Sequence, residues 1–363
     1  MLALAAFAAA YSIYGGLKAV AMTDIIQVVL LVFGGALITW ITLGEIGGSD
    51  GAIAGFKVLL SELPSRFDMI LDKETRPEDF QNLPGIGVLI GGMWIMNLSY
   101  WGFNQYIIQR ALGAKDIKEA QRGVLFAAFL KLIVPFIVVI PGIAAVMLAP
   151  DLGKADQAYP TMMAYAPAGI RGLVFAALIA AIVSSVGSMM NSISTIFTMD
   201  IYKPLFSKGA SEHQLVMIGR VVSFVALVIA VILAKPLLGA SGQVFQNIQN
   251  WTGFVTPGVC AIFFLGMFWK RATELGGLVA VIASLVLSFT WPMMFPEMPF
   301  MDRVGFVFLI CVALGVVVSF LQKAPSEEQS VDLAGISFKT GTGFNIGAVI
   351  VTAILVVLYG IWW

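Results

Sequence analysis

Charge is scarce in this chain. Only 12% of its 363 residues are Asp, Glu, Lys or Arg, and the two signs cancel at 21 each. That balance argues against a nucleic acid or an anionic surface recognised through net charge. Histidine is nearly absent: the one copy, His213, lies in a connecting segment, which leaves no basis for histidine catalysis or a histidine metal site. Cysteine is limited to Cys260 and Cys311, both in apolar runs. They read as small apolar residues, and no disulfide is implied. The opening Leu2-Ala-Leu-Ala-Ala-Phe-Ala-Ala-Ala-Tyr11 lacks a basic n-region, so a signal peptide fits poorly.

Apolar residues fill the space, at 59% of the chain and a mean hydropathy of +0.93. Runs of about 20 apolar residues recur along the chain, which describes a polytopic all-α membrane protein. Nine full spans are predicted, at residues 17–43, 85–110, 123–149, 169–199, 216–234, 246–268, 275–291, 304–321 and 344–363. Residues 2–11 are too short to span, and read as the end of a span that begins earlier. If the spans alternate, Lys18, Arg110, Lys115, Lys118, Arg122, Lys203, Lys208, Arg220, Lys270, Arg271, Lys323 and Lys339 share one side, the cytoplasm by the positive-inside rule. The acidic 44–84 segment, with Glu45, Asp50, Glu62, Asp68, Asp72, Glu74, Glu78 and Asp79, then lies outside. So does the C-terminus, with Trp362 and Trp363 as interfacial anchors.

Polar residues inside spans mark the chemistry. Lys131 stands alone in Phe126-Ala-Ala-Phe-Leu-Lys-Leu-Ile-Val-Pro135, roughly 12 Å into the hydrocarbon. A lone cation there costs about 2.5–3.5 kcal/mol, which makes it a functional candidate facing a cavity or partner, against the alternative of snorkelling to the headgroups. Asn97-Leu-Ser-Tyr-Trp-Gly-Phe-Asn-Gln105 begins roughly 18 Å deep and predicts a discontinuous helix, since irregular backbone is tolerated only beside protein or a watery cavity. Interhelical bonding by Asn and Gln is the plainer reading.

Ser184, Ser188, Asn191, Thr195 and Thr198 share one helical face, with Ser185 and Ser192 beside them. The stripe suits oxygen ligands for a small cation or close helix packing, and spacing leaves both open. Amides at Gln243, Gln246, Asn247, Gln249 and Asn250 precede Thr256-Pro257-Gly258, a predicted vestibule wall followed by a hinge. Asp24, roughly 10 Å from the cytoplasmic end of its span, is either part of an ion path or a structural hydrogen-bonding group.

The strings Tyr11-Ser-Ile-Tyr-Gly-Gly-Leu17, Thr23-Asp-Ile-Ile-Gln27, Asn97 through Arg110, Phe126 through Pro135 and Ala180 through Lys203 resemble the solute:sodium symporter family. Within it the likeness is to the bacterial sodium/galactose symporters, and it runs over nearly the whole chain. The resemblance implies a LeuT-like core of two inverted five-helix repeats, truncated at the N-terminus. The end of the first repeat is expected at 1–43, an extracellular loop at 44–84, the second repeat at 85–269 and accessory helices at 270–363.

It also implies roles. Asn97, Lys131 and Gln249 match residues that hydrogen-bond sugar hydroxyls. Tyr100, with Trp101 beside it, matches the aromatic that stacks on the pyranose and closes its inward exit. The Ala181 carbonyl, Ser184 and Ser185 match Na+ ligands, and Asp24 matches an acidic group near the ion's exit route. The family's other ligands come from helices that would precede Met1, so the chain is expected to hold half a pocket and, alone, to insert without transporting.

The function implied is sodium-coupled uptake of galactose or glucose across the bacterial inner membrane. A symporter for myo-inositol, sialic acid or an amino acid is the alternative. A channel would need a continuous polar pore, whereas these residues cluster at one depth. An intramembrane enzyme would need a nucleophile and base within reach, and no span holds a histidine.

Overall fold

The computed structural model describes residues 2–82, 85–238, 243–325, 331, 333 and 335–363, with the backbone alone for 2, 3, 5, 9–21, 78, 82 and 238. The side chains of Lys18 and Glu78, two of the charges used for orientation, lie outside the described residues. Among the described residues every regular element is helical. Seven helices among the described residues are long and apolar enough to cross a membrane, and two bent pairs bring the number to nine when each counts as one span. The predicted spans each find a helix, with ends displaced by several residues.

The chain divides into two compact units, Met1–Arg66 with Ala127–Gln243 and Phe67–Phe126 with Val244–Trp363. In the first, Leu2–Gly47 is one helix of 46 residues. It runs unbroken through residues 2–11, expected to be a separate partial span, and through Gly15–Gly16. Without proline, two glycines cost about 1 kcal/mol each, which a long apolar helix absorbs. The predicted 44–84 loop also contains a helix, Gly51–Glu62. Gly48 and Gly51 adopt φ of 54° and 80°, turning the chain so that this helix returns along the first. Contact is backbone to backbone: a Cβ on Gly55 would lie 1.9 Å from the Leu43 carbonyl oxygen.

The Leu2–Gly47 helix packs chiefly on Ala168–Ile196 and also on Ile140–Leu148 and Glu212–Leu238. Gly34 admits Val174, and Gly35 admits Ile137. Small residues at these crossings are what membrane helices use when hydrophobicity cannot drive them together. The Ile117–Val134 helix runs into a π turn at Pro135–Val139 and then Ile140–Leu148. Pro135 has no N–H for the Lys131 carbonyl in α register, and Pro141 has none for Phe136 in π register. Thr39 answers the second deficit: its hydroxyl lies 3.0 Å from the Phe136 oxygen and 2.9 Å from that of Gly35.

In the second unit, Thr256–Phe268, Glu274–Met294 and Phe300–Phe320 pack on one another around Ala261, Ala280, Val307 and Cys311. Gly258 and Gly276 sit where these helices touch, with Ser284 and Ser319 respectively in the space a Cβ would take. The C-terminal Thr342–Ile361 helix ends at Trp362, whose ring stacks on Phe67 at 6.2 Å and whose carbonyl accepts from Met69 N at 2.8 Å.

Gly55→Ala tests the hairpin. A Cβ there forces two backbones apart, and overpacking of that kind costs about 1–3 kcal/mol. The thermal midpoint in detergent should fall, whereas Gly44→Ala, with open space at its Cβ, should leave it unchanged.

Candidate functional site

The predicted discontinuity at residues 97–105 is present, and a second one precedes it. Gly85–Ile90 stops at Gly91, whose φ of −111° and ψ of −116° no helix accommodates, and Gly92–Leu98 resumes at an angle. The halves Asp79–Ile90 and Gly92–Phe103 differ in direction by 78°. Ser99–Phe103 is then a π turn, Asn104 is extended, and Gln105–Leu112 is α-helical. Tyr100 and Trp101 therefore sit on the π turn itself, a feature common at functional sites. Their rings meet edge to face at 5.4 Å. Tyr106 donates to the Tyr100 hydroxyl at 3.0 Å, its ring nearly perpendicular at 6.0 Å. Phe103 anchors the turn by stacking on Phe263 at 4.4 Å. Asn97 is exposed, with its amide donating to the Met93 carbonyl at 2.9 Å.

The other bent helix joins Val244–Thr252 to Thr256–Phe268 at 41°. Pro257 opens the second half, as Thr256-Pro257-Gly258 predicts. One interaction holds the break. Ser284, wholly buried, accepts from Gly258 N at 3.0 Å and donates to the Phe254 carbonyl at 2.9 Å. In an unbroken helix those two groups would bond each other, so the hydroxyl takes the place of a missing rung. Gln249 lies on the half before the break, partly buried, its carbonyl capped by Thr252 Oγ1 and Gly253 N.

In the first unit, Lys131 is exposed, one turn ahead of the π turn that Pro135 begins. On Ala168–Ile196, Ser184 is buried and donates to the Asp24 carboxylate. Ala181 is partly buried one turn earlier, and Ser185, the next residue round the helix, is exposed. The structure thus joins Asp24 to Ser184, and Tyr100 to Trp101. Lys131 belongs to the first unit with the ion candidates, and Asn97, Tyr100, Trp101 and Gln249 to the second.

The rest of the hydroxyl stripe is mixed: Asn191 Nδ2 and Thr198 Oγ1 are buried without a hydrogen-bond partner, while other hydroxyls bond back to the helix. Ser188 bonds the Ser184 carbonyl at 3.0 Å, and Thr195 bonds that of Asn191 at 2.9 Å. Ser223 donates across to Met190 at 3.2 Å, and Ser194 fills the notch left by Gly219. Among the described residues no group of three or more His, Cys, Asp or Glu could hold a metal ion. A cleft of about 660 Å³ in the second unit, edged by Asp68, Asp72, Arg76 and Asp302, includes none of the predicted site residues.

Sequence reasoning missed Gly91, Ser284, Tyr106 and Arg303. Only Arg303 left a signal, a cation against the start of an apolar run.

The family model for the sodium:solute symporter family matches residues 1–284. The chain belongs to the sodium:solute symporter family. A sodium/glucose cotransporter of Vibrio parahaemolyticus is 47% identical over 384 aligned positions, covering 100% of this chain and 70% of the relative. A human sodium/myo-inositol cotransporter 2 is 37% identical, over 78% of this chain and 46% of the relative. The chain thus spans about half the length of that mammalian relative. Among solved structures, a Na+-coupled sialic acid symporter in a substrate-bound outward-open state matches with a TM-score of 0.69 at 23% identity, over 88% of this chain and 66% of that one. That likeness fixes the fold as the LeuT-like one of this symporter family.

The Ser284 bridge carries its own test. Ser284→Ala leaves the Gly258 N–H and the Phe254 carbonyl buried without their partner, a cost of about 1–3 kcal/mol per group. A lowered thermal midpoint in detergent, with little change for the half-buried Thr290→Ala, whose hydroxyl bonds only within its own helix, is the expected outcome.

Proposed function

We propose that the chain is the greater part of a bacterial inner-membrane symporter that couples Na+ entry to uptake of galactose or glucose. The observation that carries this is the 47% identity to a sodium/glucose cotransporter along the entire chain. The site supports it. A π turn bearing Tyr100 and Trp101 offers an aromatic face for a pyranose ring, while Asn97, Lys131 and Gln249 supply hydrogen-bonding groups at membrane depth. Buried Ser184 bonded to Asp24, with Ser185 adjacent, supplies oxygen atoms and a negative charge suited to Na+, alongside the Ala181 carbonyl.

The role is transport and not catalysis. Na+ works by differential affinity: where it binds the outward-facing state more tightly it draws the population there, and sugar binding is favoured. Linkage then requires sugar to raise Na+ affinity by the same factor. Residues 1–43 are read as the end of one inverted repeat, 85–269 as the next and 270–363 as accessory helices, with the C-terminus on the periplasmic side.

Gradient-driven accumulation of labelled galactose by the full-length gene product in sealed vesicles tests the whole reading, and no sodium dependence would sink it. myo-Inositol is the second reading, favoured by the mammalian relatives. Competition by excess myo-inositol but not by glucose would select it.

Two substitutions separate the sites. Lys131→Ala should weaken equilibrium sugar binding by roughly ten-fold or more, since a charged hydrogen bond contributes about 1.5–3 kcal/mol, and wild-type affinity would remove Lys131 from the pocket. Ser185→Ala should raise the sodium concentration for half-maximal uptake while changing sugar affinity less. An unchanged sodium titration would place the ion elsewhere.

A further inference from the structure

Both broken helices of the second unit meet the same short stretch of a third. At the first break, a Cβ on Gly92 would lie 1.9 Å from the Met301 carbonyl oxygen, and one on Gly305 would lie 3.4 Å from the Gly92 nitrogen. The Gly92–Leu98 half therefore starts in backbone contact with the beginning of Phe300–Phe320. At the second break, Val304 occupies the space beside Gly253, its Cγ2 3.1 Å from where a Cβ would be. Arg303 donates to the Asn250 side-chain oxygen, and its guanidinium carbon sits 5.4 Å from the centre of the Phe254 ring. Met301 and Val304 further join Met96, of the first broken helix, in one apolar cluster.

Arg303 is only 5% exposed, and its Nε is buried with no hydrogen-bond partner. A guanidinium so placed is a weak source of stability, because desolvation offsets much of what its contacts return. Its shape suits a different task. One edge of the planar fork grips an amide oxygen while the face lies on an aromatic ring, a combination that lysine cannot reproduce. Of the residues held, Asn250 stands just before the break and Phe254 within it, and Asn250 adjoins Gln249.

We propose that residues 301–305 are a shared positioning element for both broken helices, with Arg303 fixing the second hinge, so that Asn97 and Gln249 are placed by one piece of structure. The geometry is independent of substrate; its consequence for sugar rests on the symport reading above. Arg303 is a positioning residue, acting through Asn250 and Phe254.

The chain contains its own reporter. Cys260 lies in the second broken helix, and its thiol donates to the Ile95 carbonyl of the first at 3.2 Å. Cys311 is equally buried in the apolar cluster of the neighbouring helices. Alkylation of the full-length protein by N-ethylmaleimide, resolved by peptide mass spectrometry, therefore reads the hinge at Cys260 and the core at Cys311. In Arg303→Met, Cys260 should react roughly ten-fold faster or more, as expected for a lost charged hydrogen bond, with Cys311 still protected. Asn250→Ala should act in the same direction, the double variant should be no faster than Arg303→Met, and Arg303→Lys should fall between.

The KM for sugar should rise by a similar factor in Arg303→Met, while the sodium titration at saturating sugar stays near that of the parent. Parental Cys260 reactivity in both single variants overturns the proposal. So does simultaneous exposure of Cys260 and Cys311, which would make Arg303 a support of the whole core. A loosened hinge with an unchanged sugar KM overturns the link to the site. A parent without sodium-driven sugar uptake sinks the symport reading and leaves the labelling result standing.

Discussion

Inside a bilayer a backbone N–H or C=O has no water to turn to, so each interruption of a helix must be satisfied by something else in the protein. Two interruptions here show how. Ser284 stands between the Phe254 carbonyl and the Gly258 N–H, replacing a rung of the ladder by a hydroxyl from the next helix. Thr39 reaches the Phe136 carbonyl in a π turn bounded by two prolines. Irregular backbone can persist in such a helix only when partners of this kind are supplied, and here two hydroxyls supply them.

Close approach is the companion requirement. A hydroxyl reaches a neighbouring backbone only when the helices touch, and glycine sets that distance. Gly258 lies against Ser284, Gly92 against Met301 and Gly55 against Leu43. Adding a methyl at such positions does more than fill space. At Gly258 it would displace the helix that carries the bridging Ser284, so packing and backbone satisfaction fail together.

The hinge at Thr256-Pro257-Gly258 was legible because proline and glycine announce themselves against an apolar background. The interruption after Asn97 was legible because amides and a glycine stand where leucine would serve better. The break at Gly91 was not, since Ile90-Gly91-Gly92-Met93 reads as a stretch with small residues for packing, and only the contact with Met301 shows that the chain must turn there. Arg303 was passed over because a cation at the predicted start of a span looks interfacial, while tertiary contacts with Asn250 and Phe254 draw it inside. Gly51–Glu62 was hidden by the acidic residues around it, which made the whole segment look like loop. The stripe from Ser184 to Thr198 was ambiguous in sequence for a physical reason: ligand-bearing and tightly packed helices both need small polar residues at the same spacing.

The environments of the polar residues separate two uses that composition cannot. Ser188, Ser284, Thr39 and Thr42 are buried, and each bonds a backbone carbonyl. Ser284 and Thr39 thereby tie one helix to another, while Ser188 and Thr42 bond back within their own helices. Asn97, Tyr100, Trp101, Lys131 and Ser185 are exposed despite lying at depths where exposure to lipid would be costly. Exposed polar residues at such positions suit a watery cavity or a ligand better than lipid. Ser184 belongs to neither group: it is buried, and its partner is the carboxylate of Asp24, not a backbone carbonyl. A hydroxyl whose proton is directed at a carboxylate keeps its lone pairs for another partner. Under the proposed symport reading, a small cation is the partner matched to a hydroxyl oxygen with a carboxylate behind it.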